Sequence, residues 1–144
     1  MKKELNITLK EDVNCTAVES KYRHGTDTDL QCELQTEWEY GAPHKFIVFN
    51  DNNGDAIAKI QLQKGPIKEN GRNGISDEDL LLIAAMRLQA FQNTEYACNE
   101  NRDALDHIVC ALECLYSRRH RRESKGIEGT SIIDYLAEHL RKKK

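Results

Sequence analysis

Four side chains in the C-terminal half of the sequence have the types and spacing to hold a small anionic ligand: Phe91, Asn101, Arg118 and Arg122. Arg118 and Arg122 stand four residues apart, one turn of a helix. Two guanidinium forks at that spacing converge on one phosphate or pyrophosphate. The Asn101 amide carries donors and acceptors and suits a base or ribose edge. The Phe91 ring suits stacking on a purine. Each residue also has a plainer role open to it. Arginines near a helix C-terminus complement its dipole, Phe91 fits a core, and Asn101 fits a cap. Asn99, Arg119 and Arg121 are neighbours that would take over if the helix phase were shifted.

Signs of catalysis are poor. The sequence has no GxGxxG, Walker loop, GxSxG or HExxH. His107 with Asp103 and Asp106 imitates an acid/base cluster, but on a helix such residues commonly face solvent. The five cysteines, Cys15, Cys32, Cys98, Cys110 and Cys114, are odd in number and form no CxxC. That argues against a disulfide framework or a zinc knuckle. Cys110 and Cys114, one helical turn apart and one turn after His107, read as helix packing rather than a metal site. No catalytic residue, metal or cofactor is expected.

The elements that position these residues follow from periodicity. LNITL, VNCTAVE and LQCELQTEWEY alternate apolar and polar residues, as strands do, with the turn-like HGTDTD before the last of them. KFIVFN and AIAKIQLQ flank DNNGD, where Asn53-Gly54 is a hairpin signal. Residues 64–75, KGPIKENGRNGI, form a glycine-rich loop. Its backbone amides would suit an anion, or it simply connects sheet to helix.

Ser76 with Asp79 gives a capping-box pattern, and Asp77 and Glu78 favour a first helical turn. Leu80, Ile83, Ala84, Arg87 and Phe91 follow at helical spacing to about Asn93. A second helix is predicted from about Tyr96 to Arg122, with a stripe of Leu105, Ile108, Leu112 and Leu115. The short linker makes the pair an antiparallel hairpin. KGIEGT breaks the second helix, and SIIDYLAEHLRKKK reads as a short amphipathic helix with a basic tail.

The fold class is therefore α+β: an N-terminal antiparallel β-sheet, then an antiparallel helical hairpin and a short C-terminal helix. A single domain over 1–144 is expected, with a β-rich part at 1–63, the loop at 64–75, the hairpin at 76–130 and the last helix at 131–144. At 144 residues and a net charge of -3, the chain suits one small unit whose core is completed by oligomerisation. Residues 117–125 carry five basic side chains to one acidic. This is a local anion site rather than the wide basic footprint of a DNA-binding surface. No apolar run approaches a membrane span or a leader peptide, so a soluble protein is expected.

The stretch GPIKENGRNGISDEDLLLIAAMRLQAFQ through ACNENRDALDHIVCALECLYSRRHRRESKGIEGT resembles the hairpin domain shared by phage Thoeris anti-defence and anti-CBASS proteins. The best match is to the Thoeris anti-defence one sponge family, over about residues 45–130. G-P-I-x-E-x-G-x-N-G, F-Q, A-C-x-E-N and R-x-x-x-x-G-I-E-G-T carry the likeness.

The resemblance implies dimers or hexamers in the cytoplasm of an infected bacterial host, binding glycocyclic ADP-ribose, the signal made by TIR-domain proteins. Holding that signal starves an NAD-depleting effector of its activator. The resemblance also implies ligand roles for Phe91, Asn101, Arg118 and Arg122. Gly126, Gly129 and Thr130 fall at a second site for CBASS cyclic di- or trinucleotides, or at an oligomer contact. Two features depart from the family pattern. Lys64 and Lys68 stand where the family has an arginine, and the chain beyond Thr130 is longer.

Three functions follow from these readings. The first is a sponge that binds without cleaving. The second is an enzyme hydrolysing the signal, which needs a base or metal near the pyrophosphate. The third is an RNA- or protein-binding module using the basic 118–122 cluster, which predicts a steep salt dependence if RNA is bound.

Overall fold

The structure, a computed structural model, describes residues 15–134. LNITL, the start of VNCTAVE and most of the predicted last helix lie outside those residues. The chain falls into two compact units. Of the described residues, one comprises 15–65 together with Arg72–Ile75, and the other comprises Pro66–Gly71 with 76–134.

The first unit is an antiparallel sheet of four strands in sequential order: β1 Cys15–Ala17, β2 Thr28–Glu33, β3 Lys45–Asn50 and β4 Ala56–Gln61. Asn53-Gly54 closes the β3–β4 hairpin as predicted. Gly54 takes φ 74°, and the amides of Asn52 and Asp55 donate to the side chains of Asn50 and Asn53. Ile47 at 1 % exposure and Ala56 at 4 % are the fully buried apolar residues among those described.

The alternation in LQCELQTEWEY runs on to Tyr40, but the strand stops at Glu33 and a 3-10 turn follows at Gln35–Glu37. The reason is non-local. The Glu33 carboxylate accepts from the backbone amides of His44 and Lys45 at 2.7 and 3.1 Å, and its carbonyl accepts from the Trp38 indole at 3.0 Å. Beyond β4, Leu62 makes a parallel bridge to Ile75. Gly74 must be glycine there, since a Cβ would lie 2.4 Å from the Leu62 carbonyl carbon.

The second unit begins with a short helix not anticipated from sequence, α1 Ile67–Asn70. It continues with α2 Asp77–Gln92 and α3 Asn99–Ser124. Ser76 and Asp79 form the predicted reciprocal capping box. α3 starts later than Tyr96 because residues 93–98 make a tight turn. The Gln92 amide both donates to the Cys98 carbonyl and accepts from the Cys98 amide, each at 3.0 Å. The Cys98 sulfur then caps α3, accepting from the Asn101 amide at 3.4 Å.

Leu105, Ile108, Leu112 and Leu115 are half-buried, as the stripe requires. On α2 the half-buried apolar residues are Leu80, Leu81, Ala84, Ala85 and Leu88, whereas Ile83 is 57 % exposed. The packing face of α2 is thus rotated from the predicted row. Cys110 and Cys114 are exposed rather than packed, and none of the five cysteines forms a disulfide. Residues 131–134 are not helical, contrary to the predicted start of the last helix, because Arg122 and the Asp134 ion pairs fold them back on the end of α3.

Candidate functional site

The candidate residues gather at the two ends of the hairpin. At the turn end, Phe91 closes α2 and Asn101 stands in the first turn of α3. The Phe91 ring meets Tyr96 edge-on, with centroids 6.5 Å apart at 81°. The Arg87 guanidinium lies 5.3 Å over the same ring, one helical turn back. A cation over an aromatic face is attracted by the ring quadrupole, so the ring is held with one face covered. Phe91 stays 37 % exposed. Asn101 is half-buried. Neighbouring Asn99 is engaged, accepting from Arg102 at 3.0 Å.

At the other end stand the arginines, and they differ in use. Arg118 is exposed. Arg119 is ion-paired with Glu78 in the first turn of α2. Arg121 lies 3.3 Å from the Asp134 carboxylate, which also accepts from Lys125 at 2.6 Å. Arg122 is only 4 % exposed. Its Nη2 donates to the carbonyls of Ile127, Thr130 and Ile132, and its Nε lies 3.5 Å from Glu128. Sequence reasoning had no signal for these partners, since nothing local in SRRHRR separates one arginine from the next.

Within one chain the four candidates lie at opposite ends of the hairpin, Phe91 and Asn101 at one and Arg118 and Arg122 at the other. Arg118 stands seventeen positions after Asn101 along continuous helix, roughly 25 Å at about 1.5 Å per residue. The hairpin is antiparallel, so Phe91 shares the Asn101 end and Glu78 shares the arginine end. The separation is a simple consequence of spacing along α3 and was legible in the sequence.

The segment after α3 carries Gly126, Gly129 and Thr130. Gly126 and Gly129 adopt φ 71° and 77°. The Gly129 carbonyl accepts from the Lys68 amide at 2.8 Å, and a Cβ on Gly129 would meet the Lys68 side chain at 3.1 Å. The Thr130 hydroxyl donates to the Ile127 carbonyl at 2.5 Å. Ser131 reaches Glu69 at 3.0 Å.

The glycine-rich loop is not an open anion cradle. The amides of Lys64, Lys68, Asn70, Gly71, Asn73 and Ile75 all donate within the chain. Lys64 is ion-paired with Glu39 at 2.9 Å, and this hydrogen bond raises its pKa above the ordinary 10.5. His107, Asp103 and Asp106 are exposed. Among the described residues no group of three His, Cys, Asp or Glu side chains is placed to hold a metal ion, and no helix is long and apolar enough to cross a membrane.

No protein-family model matches the chain. It is 38 % identical over 98 residues, 68 % of each chain, to "Thoeris anti-defense 1" of Bacillus phage SBSphiJ7. At that identity and coverage, the chain belongs to the Thoeris anti-defence 1 family.

Proposed function

We propose that this chain is a phage anti-defence protein that holds a cyclic nucleotide signal of Thoeris, glycocyclic ADP-ribose, without cleaving it. Family membership supports the anti-defence role. The observation that carries the binding reading is the division of the hairpin. An aromatic ring with an amide lies at one end, and an exposed arginine lies at the other. Those chemistries match the adenine, ribose and pyrophosphate of such a ligand.

Because the two ends lie roughly 25 Å apart along α3, a compact cyclic ligand does not bridge them within one chain. The reading therefore uses two copies, with Phe91 and Asn101 from one facing Arg118 and Arg122 from the other. Leu82, Ile83 and Met86 on α2, with Val109 and Tyr116 on α3, are 46 to 72 % exposed. An apolar surface of this kind is covered when copies assemble as a dimer or hexamer. The turn around Gly126, Gly129 and Thr130 is the place for a CBASS cyclic di- or trinucleotide, or for an oligomer contact.

A sponge works by mass action. It must bind below the concentration that activates the effector, and be made in comparable amounts in the host cytoplasm. A broad RNA surface is less well supported. Arg119, Arg121 and Arg122 of the basic cluster are each engaged by groups of the same chain.

The test is to mix the purified protein with glycocyclic ADP-ribose, remove free ligand by filtration, denature with heat, and identify what is released. Intact signal is the expected product, with recovery lost in Asn101→Ala and Arg118→Ala. Cleaved signal would make the protein an enzyme, and no capture would refute this ligand.

A further inference from the structure

Two short pieces of the sequence, F-Q at 91–92 and A-C-x-E-N at 97–101, meet at the turn of the hairpin. The half-buried Gln92 closes α2 and grips Cys98 as a neighbouring strand would. Its Nε2 donates to the Cys98 carbonyl and its Oε1 accepts from the Cys98 amide, both at 3.0 Å. A side-chain amide offers donor and acceptor side by side, which is what an extended peptide unit needs. Cys98 is extended, at φ -152° and ψ 164°, and its sulfur accepts from the Asn101 amide at 3.4 Å. The Cys98 carbonyl also accepts from the Arg102 amide at 3.2 Å, an opening bond of α3. Sulfur is a weak acceptor, and serine, threonine, aspartate or asparagine are preferred at this cap position. The cap alone is weak, so the two Gln92 bonds decide where α3 begins. The remaining bonds of the turn are local. The Thr94 hydroxyl donates to the Phe91 carbonyl at 2.6 Å and accepts from the Tyr96 amide at 3.1 Å. Neither of these reaches α3.

We infer that Gln92 is a positioning residue that sets the spacing between the Phe91 ring and the Asn101 amide across the turn. Phe91 is its neighbour on α2, and Asn101 is tied to the Cys98 that it grips. This rests on the ligand reading above, in which ring and amide address one molecule. A rigid ligand that is both stacked and hydrogen-bonded needs its two partners held within about 0.5 Å of the right separation. Gln92 supplies that precision from behind, without touching the ligand. The chemistry of the brace gives it a signature. A carboxylate at this position keeps the acceptor but loses the donor, and its charge faces the Cys98 carbonyl oxygen. A protonated carboxyl has both functions again. The bond to the Cys98 carbonyl favours that neutral form, so Gln92→Glu takes up its proton above the ordinary value of about 4.3.

The experiment uses the full chain as wild type, Gln92→Leu and Gln92→Glu, each at pH 7.5 and pH 5. Hydrogen-exchange protection of the Cys98 and Asn101 amides is measured without ligand, and affinity for glycocyclic ADP-ribose by equilibrium dialysis. Every value is taken relative to wild type at the same pH, and circular dichroism confirms that each variant is folded. Gln92→Leu is expected to lose protection at Cys98 and to bind about tenfold more weakly at both pH values. Gln92→Glu should behave like Gln92→Leu at pH 7.5. At pH 5 it should regain protection and bind within about threefold of wild type. A role in packing alone would not respond to the proton.

The proposal is overturned if Gln92→Leu loses protection at Cys98 yet binds as wild type does, since the brace then sets nothing that the ligand reads. It is equally overturned if binding weakens while both amides stay protected, which would make Gln92 a direct ligand contact. A Gln92→Glu variant whose protection and affinity ignore pH would also overturn it. Failure of the wild type to capture the signal would sink the ligand reading alone. The ligand-free protection of Gln92→Glu at the two pH values then still decides whether Gln92 holds the start of α3.

Discussion

Glu78, in the first turn of α2, is ion-paired with Arg119 near the end of α3, 41 residues away in sequence. The pair joins the positive end of one helix dipole to the negative end of the other, and each partner carries the charge its own terminus favours. Arg119 is 46 % exposed, so solvent screens the attraction. Glu78→Gln is expected to lower stability by only about 0.5–1 kcal/mol. The loss should shrink in high salt, as screening already weakens the wild-type pair. Thermal denaturation at low and high salt checks it. A loss that does not change with salt would show that Glu78 acts through packing.

Gly74 and Gly54 separate two reasons for glycine. At Gly74 a Cβ would lie 2.4 and 2.5 Å from the backbone carbon and oxygen of Leu62, and 2.7 Å from the Gln61 carbonyl oxygen. None of these atoms belongs to a side chain that can swing away. Gly74→Ala should therefore cost about 3 kcal/mol or more by forcing Ile75 away from its bridge to Leu62. At Gly54 a Cβ meets nothing within 4 Å, and only the φ of 74° opposes it. Gly54→Ala should cost about 1–2 kcal/mol. Urea denaturation of both variants reads the difference, and equal losses would remove the close-approach argument.

These contrasts show what a sequence reveals and what it withholds. The Ser76–Asp79 box, the Asn53-Gly54 hairpin and the Leu105-to-Leu115 stripe depend on residues a few positions apart, so their letters were enough. The end of β2 was not legible, because the Glu33 carboxylate that ends it is held by amides of His44 and Lys45. The fates of Arg119, Arg121 and Arg122 were hidden for the same reason. Their partners, Glu78, Asp134 and the 127–132 carbonyls, meet them only after α2 and α3 pair and the chain turns back. The distance from Asn101 to Arg118 was on the page from the start, as seventeen positions along one helix.

Lys64 and Glu39 give a test at alkaline pH. The Glu39 hydrogen bond raises the Lys64 pKa above 10.5, so the folded chain holds this proton more tightly than the unfolded chain does. The resulting stabilisation is fully present below pH 10.5 and fades as pH rises through the folded value. Both side chains are partly exposed, so solvent screens the pair and the effect is small. Wild type and Glu39→Gln should differ slightly in denaturation midpoint at pH 9 and converge above pH 11. A gap that widens with pH contradicts the assigned partner.

Cysteine reactivity should follow burial. Desolvation raises the Cys32 thiol above its ordinary 9.0, with the Glu33 charge adding to it, while Cys98, Cys110 and Cys114 are exposed. Since the thiolate is the nucleophile, brief iodoacetamide treatment at pH 8 should label Cys98, Cys110 and Cys114 well before Cys32. Peptide mass spectrometry ranks the sites. Early labelling of Cys32 would mean that the β2 environment opens readily.

The two-copy site makes a prediction that no single-chain site shares. Phe91→Ala damages one end of the hairpin and Arg118→Ala the other. When the two variants are co-expressed and pair at random, about half of the dimers are mixed. In a mixed dimer one site combines both defects, while the other joins an intact Phe91 to an intact Arg118. Each variant alone should capture almost no glycocyclic ADP-ribose, yet the mixture should recover about a quarter of wild-type capacity. If all four residues served a site within one chain, every site in the mixture would carry a defect and nothing would return. Recovery therefore reports directly on whether the two ends of the hairpin meet across copies. Its absence, with wild type still binding, would refute the two-copy site.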